Sequence, residues 1–203
     1  MYVIAAIAAG VLIGRIRGGR VRTIATADLR GVSFLAVGAA IQVVGVLFVS
    51  GGAGIALLVL SYGFIGAFTA VNLHRSGMGV VLVGLAMNAL VIGINGGMPV
   101  RSEAIVAAGI AEHDEIDDLE IGGKRHLEDE DDTLTFLGDI IPVPIPFAKL
   151  SQVISFGDLV LVVGVADVIA NLMRPRRPHE RAIQPEREAS ASPDSDSEHE
   201  ASP

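Results

Sequence analysis

The chain has no cysteine among its 203 residues, which excludes disulfides, zinc–thiolate sites, iron–sulfur clusters and cysteine nucleophiles. It has no tryptophan and only two tyrosines, so the aromatic belts that usually mark a membrane interface are thin. Charge is scarce too, at 19% of residues, against about a quarter in a soluble domain. What fills the chain instead is apolar: 51% of residues are hydrophobic and the mean hydropathy is +0.55. The charges collect in blocks and leave long stretches with none, the pattern of membrane spans separated by wet loops. The formal net charge of −8 comes from one loop and the tail, so it points to no nucleic-acid partner.

Five apolar runs carry this pattern. The first, 1–14, lacks the basic leading region of a signal peptide, and its arginines follow it. At ~1.5 Å rise per residue it reaches about 21 Å, short of a ~30 Å hydrocarbon core; it spans if Arg15 and Arg17 snorkel and the bundle packs tightly around it, and a re-entrant or surface segment is the alternative. The others are 31–49, interrupted by Gln42, then 55–73, 78–94 and 154–173. Ser50-Gly51-Gly52-Ala53-Gly54 reads as a tight hairpin and His74-Arg75-Ser76-Gly77 as a second turn. The expected fold is therefore all-α: a polytopic membrane helix bundle of about five spans within residues 1–173, with an irregular extracytoplasmic cap from the loop 95–153. Beyond it, 174–203 is rich in Pro, Ser, Glu and Asp and reads as a disordered cytoplasmic tail.

Orientation follows from Lys and Arg. Eleven of the fifteen fall on one side if the spans number five: Arg15, Arg17, Arg20, Arg22 and Arg30, then Arg75, then Arg174, Arg176, Arg177, Arg181 and Arg187. The other side holds Arg101, Lys124, Arg125 and Lys149. The N-terminus is expected outside a bacterial cell membrane and the C-terminus inside.

Within the outer loop, Ser102 to Glu112 is expected to form a short helix capped by Ser102, with Ile105, Ala108 and Ile110 facing the bilayer surface. The acidic stretch Glu112 to Asp132 reads as a solvated loop; the Asp-x-Asp-x-Asp-Gly spacing of a calcium loop is missing. In Pro142-Val143-Pro144-Ile145-Pro146-Phe147 the alternating prolines rule out helix and favour an extended strand laid against the mouth of the bundle.

An ionisable group inside a span is costly and so a functional candidate. Asp158 lies one turn into the last run, where it also suits the positive end of a helix. Asp167 lies deeper, within reach of Asn171 and Arg174. Asn88 and Asn95 are seven residues apart on one helix face; with Gln42 they either glue helices together or line a polar cavity. At the outer face Asn95, His126, Asp139 and Asp158 are expected to meet. Two carboxylates brought close would push their pKa values apart, as acid–base hydrolysis requires. Asp139 and Asp158 are thus the candidate catalytic pair, and Asn95, His126, Asn88 and Gln42 the candidate binding residues. His113 and His126 match no metal-ligand spacing, and no metal or cofactor is expected. Gly10-x-x-x-Gly14 is a helix-packing signal.

Several of these stretches occur together in a known pattern. Asn95-Gly96-Gly97-Met98-Pro99-Val100, Lys124-Arg125-His126, Phe136-Leu137-Gly138-Asp139-Ile140-Ile141 and Ser155-Phe156-Gly157-Asp158-Leu159-Val160-Leu161 resemble the signature of domain-of-unknown-function family 5317, a bacterial family of small membrane proteins. The resemblance runs from Gly18-Gly19-Arg20 to the end of the fifth run and implies a fold but no activity. Ser155-Phe156-Gly157-Asp158 is also similar in placement to the second catalytic aspartate of lipoprotein signal peptidases. It departs from them at Ser155, where that family has asparagine, and no stretch matches the one supplying their first aspartate.

The leading expectation is a non-catalytic accessory or binding component of the membrane, whose partners are the lipid bilayer and an unknown protein or lipid at the cap. An outer-face aspartyl-type hydrolase acting on a membrane-anchored substrate comes second. A small transporter lined by Gln42, Asn88 and Asp158 comes third, since the chain shows no internal repeat.

Overall fold

The computed structural model describes residues 2–116, 119, 121, 124–145 and 151–174. The tail expected to be disordered lies outside them from residue 175 on, as does the end of the proline-rich stretch from 146 to 150. The chain is mostly helical. Its long helices are α1 (Tyr2–Ile16), α2 (Val32–Phe48), α3 (Gly51–Val71), α4 (Met78–Asn95) and α6 (Phe156–Leu172), with a short α5 (Ser102–Ala107) between α4 and α6. Two of them, α3 and α4, are long and apolar enough to cross a membrane; α1 and the first turns of α2 are apolar but shorter.

The helices pack in the order α1, α6, α4, α3, α2, and small residues set their spacing. A Cβ on Gly10 would lie 2.8 Å from the Ala166 carbonyl oxygen, and one on Gly14 would lie 2.5 Å from Met173 Sδ. The Gly10-x-x-x-Gly14 pattern is thus the seam along which α1 rests on α6. At one end of the bundle, buried Asn72 ties α3 to the chain before α2. It accepts from the Arg30 N–H at 3.0 Å and donates to the Arg30 and Phe68 carbonyls at 2.8 Å each. At the same end Asp167 accepts from Ser76 Oγ at 2.6 Å and from Asn171 Nδ2 at 2.8 Å. Ser76, rather than the expected Arg174, is its second partner.

The opposite end carries a four-stranded sheet, which corrects the expectation of an irregular cap. The strands are β1 (Met98–Val100), β2 (Arg125–Leu127), β3 (Asp139–Val143) and β4 (Gln152–Ser155), in the order β2-β1-β3-β4. Both pairs made by β1 are parallel and β3–β4 is antiparallel. Only Asp139 of β3 pairs with β1, and Pro142 stands opposite Val153 of β4, beyond the part of β3 that pairs on both sides, where proline is better tolerated. The sheet is tied to the bundle at two points. Gly96, at φ +65°, ends α4 and the Gly97 N–H returns to the Ile92 carbonyl at 3.1 Å, so β1 starts at once. At the other point β4 runs directly into α6.

Two further expectations are corrected here. Gly51 to Gly54 do not form a hairpin: α3 begins at Gly51, which takes the turn itself at φ +65°. And the N-cap position of α5 is Arg101, without a side-chain cap, rather than Ser102, and the helix ends at Ala107. Its Ala104 and Ile105, with Ala108 just after it, are buried against Val100 and Val153 in a small core of the sheet layer, and only Ile110 is exposed. Alanine and isoleucine on one face of a two-turn helix bury equally well against a sheet or a bilayer, so the periodicity alone does not choose.

A charged cavity between sheet and bundle

The site begins with an irregularity in β3. Asp139 faces Ser155 and Ile141 faces Ile154 across the antiparallel pair, leaving Ile140 as an extra residue. Such a bulge re-aims side chains. Here the Asp139 side chain is buried and lines a cavity of about 290 Å³ between the sheet and the helices. Arg125 Nη2 lies 2.9 Å from Asp139 Oδ2, but out of line for a hydrogen bond, and neither carboxylate oxygen accepts one from the described residues. Burial pushes the Asp139 carboxyl up to about 7; the Arg125 charge opposes the shift and the Asp158 charge adds to it.

Asp158 is held quite differently. It closes a capping box at the start of α6: the Asp158 N–H donates to Ser155 Oγ at 3.0 Å and the Ser155 N–H donates to Asp158 Oδ2 at 3.3 Å. Asn88 of α4 completes the ring. Its Nδ2 donates to Asp158 Oδ1 at 2.8 Å and its Oδ1 accepts from Ser155 Oγ at 3.1 Å. All three residues are buried, so the ring joins α4 to α6 where no water competes. It exists because residue 157 is glycine: a Cβ there would overlap Asn88 Oδ1.

Around these groups the cavity wall is mixed. Tyr2, Tyr62, Lys124 and Arg125 supply polar groups, and Leu58, Ile92 and Met98 the apolar part. Lys124 Nζ donates to the Val49 carbonyl, bridging the sheet layer to the turn before α3.

Of the sequence candidates, Asp139, Asp158 and Asn88 meet in this cavity. Asn95 and His126 do not. They line a separate open cleft with Asp129, Asp132 and Thr133. There Asn95 Nδ2 donates to the Thr133 carbonyl, Oδ1 accepts the Thr133 N–H, each at 2.9 Å, and His126 Nε2 lies 2.9 Å from Asp132 Oδ1. One ligand atom each of His126, Asp129 and Asp132 lie within 4.8 Å of one another. The two sites divide because neighbours on a strand point to opposite faces: Arg125 of β2 reaches the cavity and His126 turns to the cleft. Gln42, half-buried on α2, lines neither.

Four polar residues of the cavity were not among the sequence's site candidates: Tyr2, Tyr62, Lys124 and Arg125. The signals for them were present. Lys124 and Arg125 are two of the few cations on the sheet side of the chain, and the two tyrosines are the only ones it has.

A model of a family of unknown function (DUF5317) matches residues 26–170. No curated protein and no solved structure matches the chain.

Proposed function

The chain belongs to this family of unknown function, and we propose that it is a multi-pass protein of the bacterial cell membrane that works by binding, without catalysis, through the cavity beneath its sheet. In this reading α1, α2, α3, α4 and α6 are the five spans, the sheet lies outside the cell and the C-terminus inside. The surface supports it. Large apolar side chains stand exposed on every long helix, among them Ile4 and Leu12 of α1, Leu47 and Phe48 of α2, Leu60 of α3, Val83 and Leu90 of α4, and Val163 of α6. Water would penalise such a surface and lipid would not.

One observation carries the binding role: the Asp139 carboxylate is buried beside an open volume, ion-paired with Arg125 at 2.9 Å but with no hydrogen bond to either oxygen from the described residues. Buried polar groups almost always have a partner, and a ligand bringing donors would supply one. The matching test is native mass spectrometry of the protein extracted in mild detergent. A small molecule or lipid stays bound, Asp139→Asn lowers its occupancy at least tenfold, and Asp167→Asn, at the other end of the bundle, leaves it unchanged. No retained mass, or equal occupancy in all three proteins, overturns the reading.

The hydrolase reading keeps one point in its favour, since Asp139 and Asp158 line the same cavity. Against it, both oxygens of Asp158 are already engaged by Asn88 and by its own capping box, which is the bonding of a carboxylate that holds structure together. Hydrolysis of a membrane-anchored peptide or lipid substrate that is abolished by both Asp139→Asn and Asp158→Asn would favour catalysis instead.

A further inference from the structure

This inference rests on the binding reading and names the chemistry of the ligand. The cavity holds charges of both signs that do not fully satisfy one another. Asp139 offers two oxygens that accept no hydrogen bond from the described residues. Lys124 gives one N–H to the Val49 carbonyl and has others free to turn, as an ammonium carries three. Arg125 lies beside Asp139 out of line and reaches the Val153 carbonyl only at 3.4 Å. A lone cation entering here would meet Lys124 and Arg125; a lone anion would meet Asp139 and Asp158. The complement to this wall is a molecule with both charges.

The nature of each charge can be narrowed further. The Asp139 oxygens lack hydrogen-bond donors, and a quaternary ammonium has none to give, whereas a primary ammonium has three. Tyr2 and Tyr62 line the same cavity. Two adjacent cationic side chains, one of them a guanidinium, suit a phosphate better than a single donor would. The apolar part of the wall comes from helix residues Leu58 and Ile92, which favours a ligand with an apolar continuation.

We propose that the cavity binds a phosphoethanolamine group, its primary ammonium on Asp139 and its phosphate on Lys124 and Arg125. The group is presented either by a lipid headgroup or by the free compound.

The test uses the full chain in detergent micelles. Phosphatidylethanolamine, phosphatidylcholine and phosphatidylglycerol with matched acyl chains are added in equal amounts and the bound lipid is read by native mass spectrometry. Phosphatidylethanolamine is expected to be retained at least tenfold over phosphatidylcholine, and Asp139→Asn to abolish that preference. A second readout is internal to the protein: with no tryptophan in the chain and both tyrosines on the cavity wall, tyrosine emission should change on filling and follow the same order. Competition by free O-phosphoethanolamine would show that the group suffices; retention of the lipid against it would assign the site to the membrane-tethered form. Equal retention of the ethanolamine and choline lipids, or a preference that survives Asp139→Asn, overturns the proposal. If a different molecule is retained in an Asp139-dependent way, the ligand chemistry is wrong and the binding role stands. If nothing retained depends on Asp139, both fall.

Discussion

Asp139 sits directly opposite Ser155 across the β3–β4 pair, and Ser155 is the residue that caps α6 and holds Asp158. A single strand pairing therefore places a carboxylate that is ion-paired with Arg125 but accepts no hydrogen bond from the described residues next to a fully hydrogen-bonded one. The two acids have the same chemistry and opposite surroundings. Asp158 is hydrogen-bonded at both oxygens and serves the joint between α4 and α6; Asp139 accepts a hydrogen bond at neither from the described residues and lines the cavity beside Arg125.

The first prediction follows from the Asp139 titration. Its carboxyl is raised in the folded protein from an ordinary 3.8 to about 7, so between those values the folded state holds a proton that the unfolded state has lost. Stability from this group is therefore greatest below about pH 4, declines as pH rises toward 7, and is level above that. Asp139→Asn carries no such proton. The difference in unfolding free energy between variant and wild type should grow across that window and reach on the order of a few kcal/mol in favour of Asn by pH 8. Denaturant unfolding at several pH values measures it. A constant difference would show that the carboxyl is not raised. Combined with loss of the ligand, a stabilised Asn variant would mark Asp139 as a group kept for function at a cost in stability.

The α4–α6 joint gives the second. Gly157→Ala must displace Asn88, because the new methyl overlaps its Oδ1, and the hydrogen bonds to Asp158 and Ser155 go with it. Overpacking and lost buried hydrogen bonds together should cost about 2–4 kcal/mol. Gly63→Ala in α3, where a Cβ meets nothing within 4 Å, should instead be neutral or stabilising by up to about 1 kcal/mol. Thermal unfolding of the pair in one detergent decides; equal effects would mean that the contact is not limiting.

How much of this was legible in the sequence differs by element. The long helices were, because runs such as 78–94 are long and apolar and contain no proline and no charge. The start of α3 was not: Gly51 to Gly54 is turn chemistry by composition, yet one glycine makes the turn and the rest continue the helix. The sheet was hidden for another reason. Its strands are three to five residues long, too short to show alternation, and β1 pairs with β2 across more than twenty intervening residues. Asp139 and Asp158 stood out by type, since acids beside apolar runs are costly. Their neighbours Tyr2 and Tyr62 did not, because tyrosine in an apolar run is ordinary core, and only the three-dimensional packing of α1, α3 and the sheet brings them to one wall.

The hydrogen-bonded ring of Ser155, Asn88 and Asp158 makes a third prediction. Ser155→Ala removes an N-cap, worth about 1–2 kcal/mol, and leaves Asn88 Oδ1 buried without its donor. Because Asn88→Ala breaks the same ring, the two losses should not add. A double-mutant cycle should return a coupling of about 1–2 kcal/mol. Additive losses would mean that the three side chains act separately.

The last prediction concerns the membrane itself, and the missing cysteines make it simple to test. Glu130, beside the open cleft, and Arg22, in the link between α1 and α2, are both exposed, and any thiol introduced at either is the only one in the chain. Three long helices, α2, α3 and α4, lie between them. If each crosses the bilayer the two positions must be on opposite sides, and the excess of arginine around residues 15–30 puts Arg22 in the cytoplasm. A membrane-impermeant maleimide applied to spheroplasts should label Glu130→Cys at once and Arg22→Cys only after lysis. The reverse pattern would invert the orientation and move the cavity to the inner face. Labelling of both from outside would mean that one of the three helices does not cross, and α2, the shortest of them at 17 residues, would be the first to examine.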